Sequence, residues 1–405
     1  MNALDPHQAR RRYVALTALR WLPPGMTIAV SALLMIDRGL DVVQIGALHA
    51  LQSVVVAALE LPTGGLADSW GRRRVLLLSG ALNLTATAAM AFAYDGWGFA
   101  GAYLLLAVGR ALGSGPLEAW YVDTVHAQRP DADLTRGLAA GRTAECLALG
   151  VGALSGGLVP LALGPLLDQP LASTVLAAAA LAAVSLLAHA LLVVEPAGQQ
   201  GPEQPRPTLL ATVAGGLRTA SRDRTVARVL LATSSIGIAV SALEAMGPVR
   251  FAELHGSAER ASTVYGTLTA SAFALSAAGA ALGPFLVRTV RPGWLVLVST
   301  TVLAGVAVTA LAAPLLGLAV AGFTLPYLLL AVPSGPAAAA LHRRVTASER
   351  ATVLSVQSLV LQGSAAVSSI VLPVLTAQAG TTVGWLVTGG LVAGTAACWW
   401  GLENG

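Results

Sequence analysis

The sequence predicts an all-α membrane protein whose twelve transmembrane helices form two related six-helix halves, and three observations carry that prediction. The first is composition. Of the 405 residues, 55% are hydrophobic and 11% charged, with a mean hydropathy of +0.72. A soluble domain carries about 25% charged residues, so lipid is the solvent for most of this chain. The second is rhythm. Apolar runs fall at 14–36, 44–67, 75–94, 98–122, 138–166, 172–194, 227–252, 262–287, 293–314, 315–340, 351–376 and 382–402, each close to the length, about 20 residues, that a helix needs to cross hydrocarbon. The third is an internal repeat at an offset of 220 residues. Ile45-Gly46 matches Tyr265-Gly266, Leu78-Ser79 matches Val298-Ser299, and Ser114-Gly115-Pro116 recurs as Ser334-Gly335-Pro336.

Taken in order, the first run follows Arg10, Arg11 and Arg12 and has the look of a secretion signal. It contains Arg20 and Pro23-Pro24-Gly25, lacks a small-x-small cleavage site and leads straight into another span, so it reads as a retained helix. The second ends in the loop Gly64-Gly65-Leu66-Ala67-Asp68-Ser69-Trp70-Gly71-Arg72-Arg73-Arg74, and the third follows it. The fourth carries Gly109-Arg110 and Ser114-Gly115-Pro116, and the fifth Gly152-Ala153-Leu154-Ser155-Gly156-Gly157. After the sixth, Glu195 to Thr208 is rich in Pro, Gly and Gln and reads as a linker. The chain therefore divides into halves at 1–194 and 227–405 joined by 195–226. In the second half, the ninth and tenth runs are parted only by Pro314 and a Gly-rich stretch. Thr346-Ala347-Ser348-Glu349 has capping-box spacing ahead of the eleventh. Trp399-Trp400 closes the twelfth as an interfacial belt.

Charge placement sets orientation. All 24 basic residues are arginine, and they cluster between apolar runs rather than along one face, which argues against a nucleic-acid partner. The Arg-only, Ala-rich usage reads as a GC-rich bacterial genome. With the N-terminus inside, 19 arginines fall on the cytoplasmic side against Arg38, Arg250 and Arg260 outside. The positive-inside rule then puts both termini in the cytoplasm of a multi-pass protein of the bacterial inner membrane. Cys146 and Cys398 lie in apolar runs and suggest no disulfide framework.

The loop after the second span resembles the signature Gly-x-Leu-x-Asp-x-x-Gly-Arg-Arg of the major facilitator superfamily, and with the twelve spans and central linker the resemblance covers nearly the whole chain. Glu60-Leu61-Pro62-Thr63-Gly64 looks like a subset of drug-efflux-type and poorly characterised bacterial members. Independently of the family, glycines permit a tight turn and Asp68 can face a helix N-terminus. The resemblance implies a cytoplasmic gate formed by Gly65, Asp68, Gly71, Arg72 and Asp123, with Asp68 meeting the start of the eleventh helix and Arg72 pairing with Asp123. Alternatively, the three arginines are topology anchors only. At offset 220, Asp68 becomes Arg288 and Asp123 becomes Arg343, so the second half lacks the signature and the lock is asymmetric. Gly109-Arg110 through Gly115 is similar to an element of proton-coupled members. Gly152 to Gly157 is close to the Gly-Pro-x-x-Gly-Gly element of drug/proton antiporters, except that Ala153 replaces the proline; its glycines could equally be a helix-packing face.

A charge at the bilayer centre costs at least about 2.5–3.5 kcal/mol, so each one asks for a reason. The resemblance places Arg20, Arg110, Glu118 and Glu244 on helices lining a central cavity. Glu118 follows Arg110 by eight residues, about two helical turns, which puts them on nearly one face of an unbroken helix. Burial and a nearby arginine push a carboxyl's proton affinity in opposite directions, as coupling requires. Glu118 beside Arg110 is the leading coupling pair, a permanent structural bridge the competing reading, and Glu244 the next candidate, unless it pairs with Arg250. Glu60 and Glu145 read as partners of Arg20 or Arg142, and the isolated His49 and His189 as packing residues. No Walker loop, Ser/His/Asp order or paired-cysteine metal site occurs, so an enzyme or ATP-driven pump is disfavoured and no cofactor beyond a proton gradient is implied.

These readings converge on a secondary transporter, monomeric in the lipid bilayer, exporting small amphipathic compounds such as a drug or natural product in exchange for protons. The alternatives are an importer or facilitator of a small nutrient or metabolite and, from another class, a non-transporting sensor or scaffold.

Overall fold

The computed structural model describes residues 5–129, 132–163, 166–194, 218, 222–344 and 347–402; within these, the side chains of 60–65, 67–69, 135, 163, 259, 342 and 347–352 lie outside the description. The described residues contain helices and no strand. The amino half comprises α1 (Pro6–Asp37), α2 (Val42–Trp70), α3 (Arg72–Ala91), α4 (Gly96–Gly113), α5 (Pro116–His126), α6 (Thr135–Leu163) and α7 (Pro170–Leu192). The carboxyl half comprises α8 (Arg224–Ala232), α9 (Ser234–His255), α10 (Ala258–Thr289), α11 (Trp294–Thr309), α12 (Leu316–Ala331), α13 (Ser334–Arg344), α14 (Ala347–Ala379) and α15 (Thr381–Gly394).

Eleven stretches among the described residues are long and apolar enough to cross a membrane. The remaining crossing is α4 with α5, carrying Arg110 near its middle and broken at Ser114-Gly115. Gly115 has φ +94°, a conformation that glycine adopts without a side-chain clash. The second Ser-Gly-Pro is used differently: α12 gives way to α13 at Val332-Pro333, two residues earlier in the repeat, and Gly335 lies within α13 without a positive φ.

Side-chain caps start several helices. Asp41 and Gln44 form a reciprocal capping box at α2, Asp95 accepts from Gly98 N at α4, and Ser257 from Arg260 N at α10. Asp223 caps α8, which therefore begins at Arg224, slightly ahead of the boundary expected at 227. Residues 195–217 of the expected linker and the Thr346–Glu349 capping box lie outside the described residues or side chains. Prolines inside α1, α9, α10 and α14 are tolerable where neighbouring helices re-satisfy the freed carbonyls. Arginines also serve as caps: Arg12 and Arg73 donate to Leu192 O and Ala190 O at the end of α7, and Arg228 donates to Trp400 O.

An even number of crossings puts both termini at one end, called here the terminal end. At the far end one apolar core unites the halves: Leu33, Ile45, Phe99 and Leu171 join Leu243, Phe251, Tyr265, Phe323 and Trp385. At the terminal end the buried apolar residues instead form one cluster per half. Leu16, Trp120, Tyr121 and Val193 belong to the first, and Val226, Leu341, Val353 and Trp399 to the second. Across the halves, α6 packs on α10 and α2 on α14. Both contacts are backbone-close. A Cβ at Gly157 would lie 2.9 Å from Gly266 Cα, and one at Gly46 2.6 Å from Pro373 Cγ. Thr263 Oγ1 donates to Gly157 O at 3.1 Å.

Candidate functional site

A cavity of about 320 Å³ lies between the halves, lined by α1, α2, α3, α4, α6 and α7 on one side and by Glu244 of α9 and Phe273 of α10 on the other. Arg20, Trp21, Pro23 and Pro24 enter it from α1, where the two prolines interrupt the helix's own hydrogen bonds. Arg20 lies over Gly113 of α4, in space that any larger residue there would occupy, with Ser79 Oγ beside it. Ser79 Oγ donates to Gly109 O at 2.7 Å, which ties α3 to α4 next to Arg110, and within α3 Asn83 Nδ2 donates to Ser79 O at 2.8 Å.

Arg20, Arg110 and Glu244 all line this cavity. None of the three makes a hydrogen bond or an ion pair with a described residue. Arg110 lies within electrostatic reach of both Arg20 and Glu244, and Glu145 within reach of Arg20. Glu145, also in the wall, is bonded to Arg142 at 2.7 Å, the partnership the sequence suggested. Glu244 does not pair with Arg250, which binds Glu253 at 2.9 Å and the carbonyls of Leu311 and Ala313. Around Glu244 stand Tyr103, Tyr265 and Tyr327, each close enough to feel its charge.

The structure does not bring Glu118 to Arg110. The break at Ser114-Gly115 ends the helix between them, and with it the two-turn alignment. Glu118 is exposed in the first turn of α5, outside the cavity lining, with Tyr13 and Arg142 as its electrostatic neighbours.

Of the gate residues, Arg72 and Asp123 form an ion pair at 2.7 Å between α3 and α5. Gly71 has φ +92° and makes the turn from α2 to α3. Gly65 and Asp68 fall in α2, with the Asp68 side chain outside the description. Gly152 and Gly156 prove to be packing positions against Gly25 and Met26 of α1.

His189 is a lining residue that sequence reasoning set aside. It is buried, with Nδ1 2.7 Å from Ser185 O and Nε2 without a partner among the described residues. A single histidine in an Ala/Leu-rich run gives no pattern by which to find it. His49 does pack, edge-on to Tyr103 with centroids 5.6 Å apart.

Two six-helix halves meeting at one end over a charged cavity describe a transporter, and the sequence agrees: residues 16–333 match the family model of the Major Facilitator Superfamily. The chain belongs to this superfamily. It is a multi-pass membrane transporter and not an enzyme. Solved superfamily-like folds include the nucleoside transporter NupG, with TM-score 0.75, 14% identity, and coverage of 96% of this chain and 98% of that one. A POT family transporter in complex with 5-aminolevulinic acid gives TM-score 0.74 and 13% identity over 96% and 95% of the two chains. A bacterial homolog of the human lysosomal transporter Spinster, inward-facing and occupied, gives 0.67 and 14% over 96% and 95%. At such identities the likeness is one of fold. No curated protein matches the chain by sequence.

Proposed function

We propose that this superfamily member exports small amphipathic compounds in exchange for protons, by alternating access, from the inner membrane of a bacterium with both termini in the cytoplasm. The observation that carries the reading is the asymmetry of the two ends: one apolar core joins the halves at the far end, while each half keeps its own core at the terminal end. The arginine bias makes the terminal end cytoplasmic, so this is an inward-open, outward-closed state ready to load from the cytoplasm. Coupling follows if one carboxylate can hold either a proton or a cationic group of the substrate. The two then exclude each other and must travel in opposite directions. Glu244 is favoured for that role because it faces the cavity opposite Arg110; Glu118, on α5 beside Arg142, is the second candidate. The Asp68 and Arg72 loop, braced by Asp123, would close the cytoplasmic end in the other state. The test is flux in proteoliposomes under an imposed pH gradient, with proton counterflow read by an internal dye. Substrate movement that is indifferent to the gradient would refute coupling, and gradient-driven uptake toward the terminal end would make the protein an importer.

A further inference from the structure

We propose that the cavity selects a substrate carrying both a negative and a positive group on an aromatic body, a zwitterion rather than a lipophilic cation. This rests on the transporter reading of the same cavity and narrows the compounds it takes. The cavity presents charges of both signs, with both of its arginines on one half and Glu244 on the other. Arg20 and Arg110 come from the amino half and Glu244 from the carboxyl half. Charge inside a membrane is expensive and normally paired, yet none of these three has a hydrogen-bond or ion-pair partner among the described residues. Glu145, on the same wall and within electrostatic reach of Arg20, is bonded to Arg142 at 2.7 Å, and it leaves Arg110 as the arginine that faces Glu244. The buried Nε2 of His189, without a partner among the described residues, offers one more polar contact on the amino-half side. Arg110 and Glu244 feel each other without reaching ion-pair distance, which leaves a gap for a ligand to bridge. Trp21 and Phe273 supply flat apolar faces, and about 320 Å³ is at the small end of ligand pockets. A cation would meet Glu244 but face two like charges, an anion would leave Glu244 opposed, and a neutral compound would leave all three unpaired. Only a ligand of both signs complements both walls.

The test uses the full chain in nanodiscs and one scaffold in four charge forms: the dipeptide phenylalanyl-alanine, its N-acetyl form (anion), its methyl ester (cation) and the doubly blocked neutral form. Binding is read by calorimetry. The zwitterion is expected to bind at least about tenfold more tightly than any blocked form. Glu244→Gln should weaken the zwitterion and the ester by about 10- to 100-fold, the range for losing a charged hydrogen bond, and spare the anion. Arg110→Gln should do the reverse. Each variant removes a charge from the membrane interior, so insertion is not penalised, and thermal stability without ligand checks this. Should a variant fail to fold, the order of the four forms on the unmodified protein still decides. The proposal is overturned if the ester or neutral form binds best, if none of the four binds, or if both variants leave the order unchanged. Flux of the same four forms in proteoliposomes separates the two readings. Zwitterion-selective binding without gradient-driven flux keeps the charge class and sinks the exporter, whereas flux of the ester alone does the opposite.

Discussion

The closed far end depends on two helices touching through glycine, and a single methyl group should open it. A Cβ at Gly157 would sit 2.7 Å from Ser262 O and 2.9 Å from Gly266 Cα. Those neighbours are backbone, so no rotamer change can make room. Ordinary contact begins near 3.4 Å, and α6 and α10 must separate by roughly 0.7 Å at this point. Overpacking of this kind costs about 1–3 kcal/mol. The cost falls only on the state in which α6 and α10 touch, so a middle value of about 2 kcal/mol shifts the population toward the outward-open state by about 30-fold. Spin labels on Asp168→Cys and Arg260→Cys, exposed residues of opposite halves, would read the far-end separation in nanodiscs. Gly157→Ala should move the distance distribution to longer values. Gly152→Ala is the control. Its methyl would meet Gly25 Cα at 2.9 Å within the amino half, so it should lower thermal stability without changing that distribution. A Gly157→Ala protein with an unshifted distribution, or an equal shift from Gly152→Ala, would refute the idea that the α6–α10 contact is the outer gate.

Further predictions follow the same logic. In a background lacking Cys146 and Cys398, a cysteine at Gln200 should resist labelling from outside intact cells; strong labelling would reverse the orientation. Arg72→Ala or Asp68→Asn should lower transport while the protein still inserts, and should raise cytoplasmic access to the cavity. For Arg72, the partly exposed tie to Asp123 contributes about 1 kcal/mol or less, and full transport with unchanged access would reduce the loop to a topology anchor. Glu244→Gln should abolish gradient-driven flux but leave substrate exchange without net proton movement, whereas Glu118→Gln should retain gradient-driven flux. The opposite pattern would return the coupling role to α5.

The parts of this molecule that repeat were legible in the sequence, because lipid imposes its length on every crossing and a duplicated scaffold preserves its small residues. Gly46 and Gly266, matched at the offset of 220, both turn out to be inter-half contact glycines, one against α14 and the other against Gly157 of α6. Arg72 with Asp123 was legible through the family signature, and Gly71 through its turn. What failed was inference along a helix that does not continue. Ser114-Gly115-Pro116 was in view as a repeat, but its Gly-Pro step, a turn signal with a proline placed to start a new helix, was not read as the break at φ +94° that separates Arg110 from Glu118. Of the cavity wall, Arg20, Arg110 and Glu244 were legible through the resemblance, which put them on lining helices, and His189 was not, because a lone histidine far from them in sequence shares no spacing with them until α1, α4, α7 and α9 pack together.

The repeat also separates what moves from what recognises. At the offset of 220, Arg110 corresponds to Leu330, Arg20 to Val240 and Glu244 to Pro24. The charges of the cavity, Glu145 (matched to Ala365) included, are thus departures from the duplicated pattern, whereas of the contact glycines Gly46 and Gly266 match each other and Gly157 corresponds to Ala377. Two halves that touch through close seams, Gly157 on Gly266 and Gly46 on Ser369 and Pro373, can rock about their common axis. A site built by symmetric residues would present the same groups to a ligand in two orientations. Arginines on one half and a carboxylate on the other fix a single orientation and make the force on a bound charge differ between the halves. A proton placed on Glu244 then changes the balance across the seam itself, between α4 and α9, rather than within either half. If the protein is proton-coupled as proposed, the coupling carboxylate would belong on the half opposite Arg110, which is where Glu244 stands and Glu118 does not.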